Sequence, residues 1–468
     1  MTSEGGKYSH STFWNGSSQD LESNSWFSIK TKVNPKIQNS PTTFSPSYLY
    51  IPVDKWVEED ILRSRKIRFY PKPEQKKILK QWMGTRRFVY NKVLGKIKSG
   101  EKINAIDLRN KYVTYKSRSG SINPEVDEWQ NEVPSDIREE AIRDLVKNHK
   151  TAFSNMKNGN INDFKMKFCS KKDSPSMAVP LLAIGATNSK IEKTQEELNR
   201  VKTTKNKAKV RKKVEITRDN NGFSMYPKYL PGKLKIKKRQ LRKKITIDGT
   251  CRIKFENNAW YLIAPYKTKS HQEGDILERK DYCALDPGVR TFQTIYSEQS
   301  VTQIKIRKEL IRKLLIKLDK LSSLRKKKII RGSTSHRRIH RRLNNLIDDL
   351  HHKTANYLTK NYNVIFLPPF ESQEIVKKSR NSNLNRNILQ LKHFQFKQRL
   401  KSKCELRKCR LYNFTEEYTT KTCSVCGSVK HVGMDEVYSC NDCGLRIDRD
   451  VNASRNIMIK SLKELFGY

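Results

Sequence analysis

Four cysteines are spaced for metal chemistry. Cys423-x2-Cys426 is followed, thirteen residues later, by Cys440-x2-Cys443, and each pair runs directly into a glycine, Gly427 and Gly444. A CxxC turn holds two thiolates at the separation a tetrahedral Zn²⁺ needs, with Zn–S near ~2.3 Å. The glycine lets the backbone turn back so that amide groups face the sulfurs. One CxxC alone reads equally well as a redox motif, but two at this spacing predict a single structural zinc in a ribbon. Four thiolates leave no open coordination position, so the ion is not catalytic. His431, in the loop between the pairs, reads as solvent-facing or as a nucleic-acid contact rather than a fifth ligand. Cys404 and Cys409 have no matching pair and read as packing or surface residues. With Cys169, Cys251 and Cys283 the cysteines number nine. An odd and scattered remainder is no disulfide framework, which points to a reducing compartment.

Three acids offer a second kind of metal chemistry. Asp286 ends the apolar run Cys283-Ala-Leu285 and precedes Pro287-Gly288. Glu371 follows Val364-Ile-Phe-Leu367 and Pro368-Pro-Phe370, and Asp450 stands just before a helical pattern of Ile457, Leu462 and Leu465. Taken singly, Asp286 is a turn opener, Glu371 a surface residue and Asp450 a helix N-cap. Jointly they say more, because two flank buried-strand candidates and the third starts a helix directly after the ribbon. A fold that gathers those points would set carboxylates around two Mg²⁺ ions. Hard divalent cations prefer carboxylate oxygen, and a pair of them can activate water and stabilise the leaving oxygen of a phosphodiester.

The charge agrees with such a substrate. Lys and Arg number 96 against 48 Asp and Glu, for a formal charge of +48 spread through most of the 468 residues. A compact fold would be strained by that self-repulsion unless a polyanion neutralises it, and nucleic acid is the expected partner. No apolar run approaches the ~18 residues that suggest a membrane span. The first residues show no basic start followed by an apolar stretch, so no secretory leader is expected.

The elements that must position these residues fall into blocks. Residues 1–58, rich in Ser, Asn, Thr and Pro with irregular aromatics, are expected to be a disordered extension. Lys66–Tyr70 alternates like a strand, and after Pro71-Lys-Pro73 a helix carries Ile78, Leu79, Trp82 and Met83 on one face. A second helix starts behind Pro134, with Ser135 as N-cap and Ile137, Ala141, Leu145 and Phe153 on its apolar side. Residues 187–213 read as an exposed helix or linker. Leu234–Ile236, Ile245–Ile247, Arg252–Phe255 and Trp260–Ala264 are short strands, with Asp248-Gly249 and Asn257-Asn258 as turns. They suggest a small antiparallel barrel bracketing a helical insert. From about Lys305 to Lys360 two basic helices are expected, joined near Gly332-Ser333.

Beyond these patterns, Ala284-Leu-Asp286-Pro-Gly-Val-Arg290-Thr-Phe292 resembles the first RuvC motif of the TnpB (OrfB) and Fanzor family of transposon-associated RNA-guided nucleases. Thr420–Gly427, Cys440–Gly444 and Asp448-Arg-Asp450-Val-Asn452-Ala453-Ser-Arg455-Asn456-Ile457 resemble the ribbon and third RuvC motif of the same family. Arg68–Gln75, Arg87–Asn91, Pro134–Ala141 and Phe164-Lys165 resemble its N-terminal segments. The resemblance implies a multidomain α/β plus β-barrel protein. Its RNase H-like (RuvC) nuclease domain, 276–420 and 445–468, would hold the zinc ribbon as an insertion at 421–444. A split wedge-type barrel, 59–95 and 214–275, would hold a helical recognition region at 96–213. The catalytic, Mg²⁺-binding acids implied are Asp286, Glu371 and Asp450. Leu367-Pro-Pro-Phe370-Glu371 departs from the bacterial Glu-Asp-Leu form toward Fanzor, and Glu374 is its fallback. Asp448 competes with Asp450, but the Asp-x-Asn-Ala core favours Asp450.

The implied activity is RNA-guided DNA endonuclease cleavage beside a short flanking motif, with a guide non-coding RNA and double-stranded target DNA as partners. Pairing then reads sequence while a basic channel binds the duplex backbone. Arg290 and Arg455, next to the acids, are candidates for phosphate contact or for surface ion pairs. Two rivals use the same residues: a strand-transferring transposase, and a zinc-ribbon binder whose acids are structural. Lys237-Lys-Arg239 and Arg242-Lys-Lys244 read as RNA-contacting surface before nuclear import signals; the location expected is intracellular, and nuclear in a eukaryotic host.

Overall fold

The computed structural model describes residues 18–23, 27–33, 60–116, 120–171, 173, 175–185, 214–242, 244–270, 280–329, 334–415, 417–433 and 435–466. The expected linker at 187–213 and the turn at Gly332-Ser333 lie outside them. The chain divides into two units, Ile61–Thr268 and the remainder, Met1–Asp60 with Lys269–Tyr468.

In the Ile61–Thr268 unit, the strand Asp60–Tyr70 is longer than its alternating core. It joins a seven-stranded sheet beside Ala259–Lys269 and Leu234–Ile236, while Val214–Ile216 pairs with Ile245–Ile247. Inward residues such as Phe69, Phe223, Ile253 and Leu262 build one core. The helix Pro73–Lys98 opens at a proline, whose fixed φ suits the first helical position, and runs through Gly84 without a break. Its first half sends Leu79, Trp82 and Met83 into the sheet's core. Its second half packs Val89, Tyr90, Val93 and Leu94 on Ala141, Ile142 and Leu145 of the helix Ser135–Lys157. One helix therefore serves two cores. Two local expectations are corrected here. Pro134, not Ser135, occupies the cap position, and its side chain makes no cap bond. Phe153 is exposed rather than packed, because the helix has left its neighbours by its last turns.

The second unit is built on a seven-stranded sheet. From one edge the order is Ser18–Ser23, Phe27–Val33, Ser300–Ile306, Thr291–Tyr296, Lys280–Pro287, Tyr362–Phe366 and Arg410–Tyr412. Lys280–Pro287 is antiparallel to Thr291–Tyr296 and parallel to Tyr362–Phe366, which is parallel in turn to Arg410–Tyr412. Both faces of the central strand are covered, which is why its middle, Tyr282–Leu285, is apolar throughout rather than alternating. Cys283 and Leu285 face the helices Lys308–Lys326, Thr334–Asn361 and His393–Arg407. Tyr282 and Ala284 face Ile457 and Met458 of the helix Arg449–Phe466.

The N-terminal segment expected to be disordered is corrected where it is described. Phe27–Val33 pairs along Ser300–Ile306, with Phe27 and Ile29 buried in the helix-covered core and Thr31 Oγ1 2.9 Å from Thr302 Oγ1. Three apolar residues in seven, Phe27, Ile29 and Val33, are all its pattern. An added strand is held largely by backbone pairing and by the context it meets, so its composition stays weak.

Candidate metal centres

The four cysteine sulfurs converge. All Sγ atoms of Cys423, Cys426, Cys440 and Cys443 lie within 4.8 Å of one another, the single group of three or more potential ligands so gathered among the described residues. Cys423 and Cys443 are 3.6 Å apart, Cys426 and Cys440 3.5 Å. A tetrahedron with Zn–S near 2.3 Å has edges of about 3.8 Å, so the donor set fits zinc. Two matching turns make it. The Cys423 amide donates to Ser428 O and the Cys440 amide to Leu445 O, both at 2.8 Å. Gly427 and Gly444 adopt φ of 78° and 72°, a region glycine enters without a Cβ penalty. The Ser428 hydroxyl beside Cys440 helps bring that thiol down to about 6, favouring the thiolate that a metal needs. Behind the sulfurs, Val437–Ser439 pairs with Arg446–Asp448, and Tyr438 packs with Ile447 and Val451. His431 is exposed and outside the cluster; Cys404 and Cys409 are buried in the helix-covered core.

The ribbon is tied to the C-terminal helix by two asparagines. Asn452 donates to Thr422 O at 2.8 Å and accepts from the Ser424 amide at 3.1 Å. Asn456, one turn on, donates to Thr419 O and Thr422 O at 2.8 and 2.7 Å. Residues four apart share a helix face, so Asn452 and Asn456 clamp the first cysteine turn to the helix that begins with Asp450.

Asp286 and Asp450 meet in one cleft of about 450 Å³, which Arg290, Thr419, Thr420 and Arg449 also line. Asp286 sits at the end of the central strand, opposite Thr294. The turn after it needs glycine: a Cβ at Gly288 would come within 2.7 Å of the Thr291 carbonyl oxygen. Asp450 lies in the first turn of Arg449–Phe466. Burial, then the neighbouring Asp448, raise its pKa, against the pull of Arg290 and Arg449. Arg290 stands 3.6 Å from Asp450 and also pairs with Glu436 of the ribbon. Asp448 has different work: its Oδ1 accepts the Asp450 and Val451 amides at 2.9 and 3.2 Å, capping the helix.

Glu371 is not drawn into that cleft. It is exposed, at the N-cap of the helix Ser372–Lys378. Its strand runs parallel to the Asp286 strand, with Phe366 opposite Ala284, so both acids follow strand ends on one side of the sheet. Glu374 lies on the same short helix, 3.9 Å from Lys378. The three acids therefore share a sheet end, but do not close to within ligand distance of one another.

Residues 393–457 match the family model described as Cas12f1-like, TNB domain, a span that takes in the ribbon and Asp450. Residues 61–100 match a model described as Helix-turn-helix domain, although here they form one strand and one unbroken helix. A protein of Paramecium bursaria Chlorella virus 1 that carries a transposase name is 29% identical over 88% of this chain and 89% of its own. A TnpB-like protein of Acanthamoeba polyphaga mimivirus is 27% identical over 95% of this chain and 83% of its own. The chain is similar to TnpB-like proteins over most of its length. Among solved structures, CasPhi-2 (Cas12j) bound to crRNA aligns over 86% of this TnpB-like chain and 98% of that chain, at 11% identity and a TM-score of 0.35. No described helix of the chain is long and apolar enough to cross a membrane.

Proposed function

We propose that this TnpB-like chain is an RNA-guided DNA endonuclease, transposon-derived, that hydrolyses phosphodiester bonds at Asp286, Glu371 and Asp450. The observation that carries the reading is the pairing of Asp286 with Asp450 in one cleft beside Arg290. A chain of charge +48 supplies the matching attraction for a polyanion. The strand order and directions around Asp286 suit an RNase H-like sheet, in which acids follow strand ends.

Mg²⁺ bound there would supply Lewis acidity toward the scissile phosphate and an activated water. The buried carboxylate of Asp450, its charge opposed by Asp448, is the kind of donor a divalent cation stabilises. Asp448 is occupied in capping, which supports Asp450 as the ligand. Glu371, which follows the neighbouring parallel strand at the same sheet end, would complete the set. Arg290 is placed to meet a phosphate oxygen in exchange for its present partners. Zinc in the four-cysteine ribbon is structural. The domain scheme goes with this reading: wedge-type barrel at 59–95 and 214–275, recognition region at 96–213, RuvC-like domain at 276–420 and 445–468, ribbon at 421–444. The Phe370-Glu371 form of the second motif leans toward Fanzor, and hence toward a eukaryotic nucleus.

A second reading, strand transfer, is favoured by the transposase name of the viral relative. Purified protein with its copurifying RNA decides between them. Cleavage of matching DNA, lost in Asp286→Ala and after RNase treatment, supports guided cutting. Donor joining in place of cutting supports the transposase.

A further inference from the structure

Behind the acid cleft, four rings form a column. Phe370, the residue before Glu371, lies 4.2 Å from the His393 ring, centroid to centroid. His393 stacks on Phe292 at 5.2 Å and 26°, and Phe292 stacks on His351 at 5.4 Å and 15°. Phe396 closes the side of the column, 5.0 Å from Phe292. The rings come from separate pieces of chain. Phe292 belongs to the strand that follows Asp286-Pro-Gly-Val-Arg290, and Phe370 to the loop that delivers Glu371. His393 lies between them, and the backbone of Gly288 also faces its ring.

Two features separate His393 from an ordinary core residue. It is 4% exposed, and the polar partner its ring meets is the Gly288 backbone, at a geometry too poor to satisfy either nitrogen fully. A buried polar ring so weakly satisfied is costly, and contacts on its aromatic faces offset that cost. The backbone is also bent to put it there. Lys392, in the left-handed region at φ 51°, ends the helix Ser382–Leu391 and starts His393–Arg407, and its ammonium is tied to Asn344 Oδ1 at 2.8 Å. A non-glycine residue with positive φ is uncommon and persists where its surroundings demand it.

We infer that His393 is a positioning residue that sets the Glu371 loop relative to Asp286 by packing its ring between those of Phe370 and Phe292. The inference rests on the nuclease reading for the identity of the metal-binding acids. Asp286 and Glu371 follow separate strands of the sheet, and the ring column is a physical link between the segments that carry them. Groups that orient ligands in this way typically change metal affinity by ~10–100-fold when removed.

The test measures Mn²⁺ binding to the full-length, zinc-loaded protein, with Asp286→Ala as the blank that defines the site. His393→Phe keeps ring faces and is expected to bind within about twofold of wild type. His393→Leu fills similar space without a ring and is expected to bind about tenfold more weakly, with its zinc content retained. Phe370→Leu should show the same loss, and the double variant no further loss. Cleavage by the RNA-loaded protein should follow the same order. Wild-type affinity in His393→Leu overturns the role, as does equal loss in His393→Phe and His393→Leu. A wild type that binds Mn²⁺ through Asp286 but cuts no DNA removes the nuclease reading and leaves the positioning role standing. Mn²⁺ binding that ignores Asp286 removes the positioning role itself.

Discussion

Arg290 faces Asp450 at 3.6 Å and at the same time pairs with Glu436 on the ribbon. One guanidinium thus spans the acid cleft and the four-cysteine segment. Without metal it offsets the charge of a carboxylate that burial and Asp448 otherwise push toward protonation. A divalent cation at Asp450 would displace it, and Glu436 offers it a place to remain. Arg290→Ala is therefore expected to lower the cleavage rate about 10²-fold, the usual effect of removing a charge-stabilising donor. Glu436→Gln leaves Arg290 with Asp450 alone, so the Mg²⁺ concentration for half-maximal cutting should rise. Cleavage rates against Mg²⁺ concentration check both; an unchanged Mg²⁺ requirement in Glu436→Gln would sink the exchange.

Ribbon and helix should fail together. Cys423→Ser removes one of four thiolates and is expected to release zinc and impair cutting, although no sulfur touches substrate. The route is the asparagine clamp, through which the first cysteine turn holds the helix that begins with Asp450. Asn452→Ala leaves the Ser424 amide without its partner and the Thr422 carbonyl with Asn456 alone, a cost of about 1–3 kcal/mol for the buried amide left unsatisfied. It should lower the melting temperature and cleavage while zinc content stays at one per chain. Metal analysis beside thermal melting separates the two variants. A zinc-free Cys423→Ser that cuts at the normal rate would refute the coupling.

Acid should destabilise the second unit through His351. Its Nε2 lies 2.9 Å from the Leu391 carbonyl and its Nδ1 2.9 Å from an Arg399 guanidinium nitrogen, which fixes the neutral tautomer with the proton on Nε2. Burial lowers its pKa to about 3. The unfolded chain protonates this imidazole near pH ~6.5 and the folded one does not until near its depressed value. Stability from this residue is thus intact above about pH 6.5 and falls with pH, by up to about 1.4 kcal/mol per unit, until the folded pKa is reached. His351→Gln is expected to be less stable at neutral pH and to show a flatter loss between pH 6.5 and 5. Urea midpoints across that range check it; parallel slopes for variant and wild type would dismiss the assignment.

What could be read locally was read from local spacing. The cysteine pairs lie within 21 residues, and a turn's geometry follows from the residues inside it, so their convergence was legible. The buried strand before Asp286 was legible because both its faces are covered and its composition shows it. Relationships set by tertiary packing were not. Arg290 meets Glu436, and His393 meets Phe292 and Phe370, only once distant segments are folded together. Phe27–Val33 escaped notice because pairing along a neighbouring strand needs little hydrophobic pattern of its own. Glu371 was legible as an acid after a strand, but its exposed position at a helix cap depends on a loop the sequence does not shape alone.

Asp448 and Asp450 offer the sharpest separation of a capping acid from one that lines the cleft. They are two residues apart and share the third motif, yet their carboxylates point to different tasks. Asp448 Oδ1 accepts two amides at the start of the last helix, while Asp450 lines the cleft with Asp286. Asn retains an acceptor oxygen and caps helices as well as Asp does. Asp448→Asn should therefore keep cleavage within a few-fold of wild type and cost about 1 kcal/mol or less of stability. Asp450→Asn removes a charge that is costly to bury, so the metal-free protein should be as stable as wild type or more so. It should also lose Mn²⁺ binding and cutting, because a neutral amide is a poor ligand for a hard cation. Equal damage from the two substitutions, in melting and in cutting alike, would mean that capping rather than metal binding explains why an acid stands at Asp450.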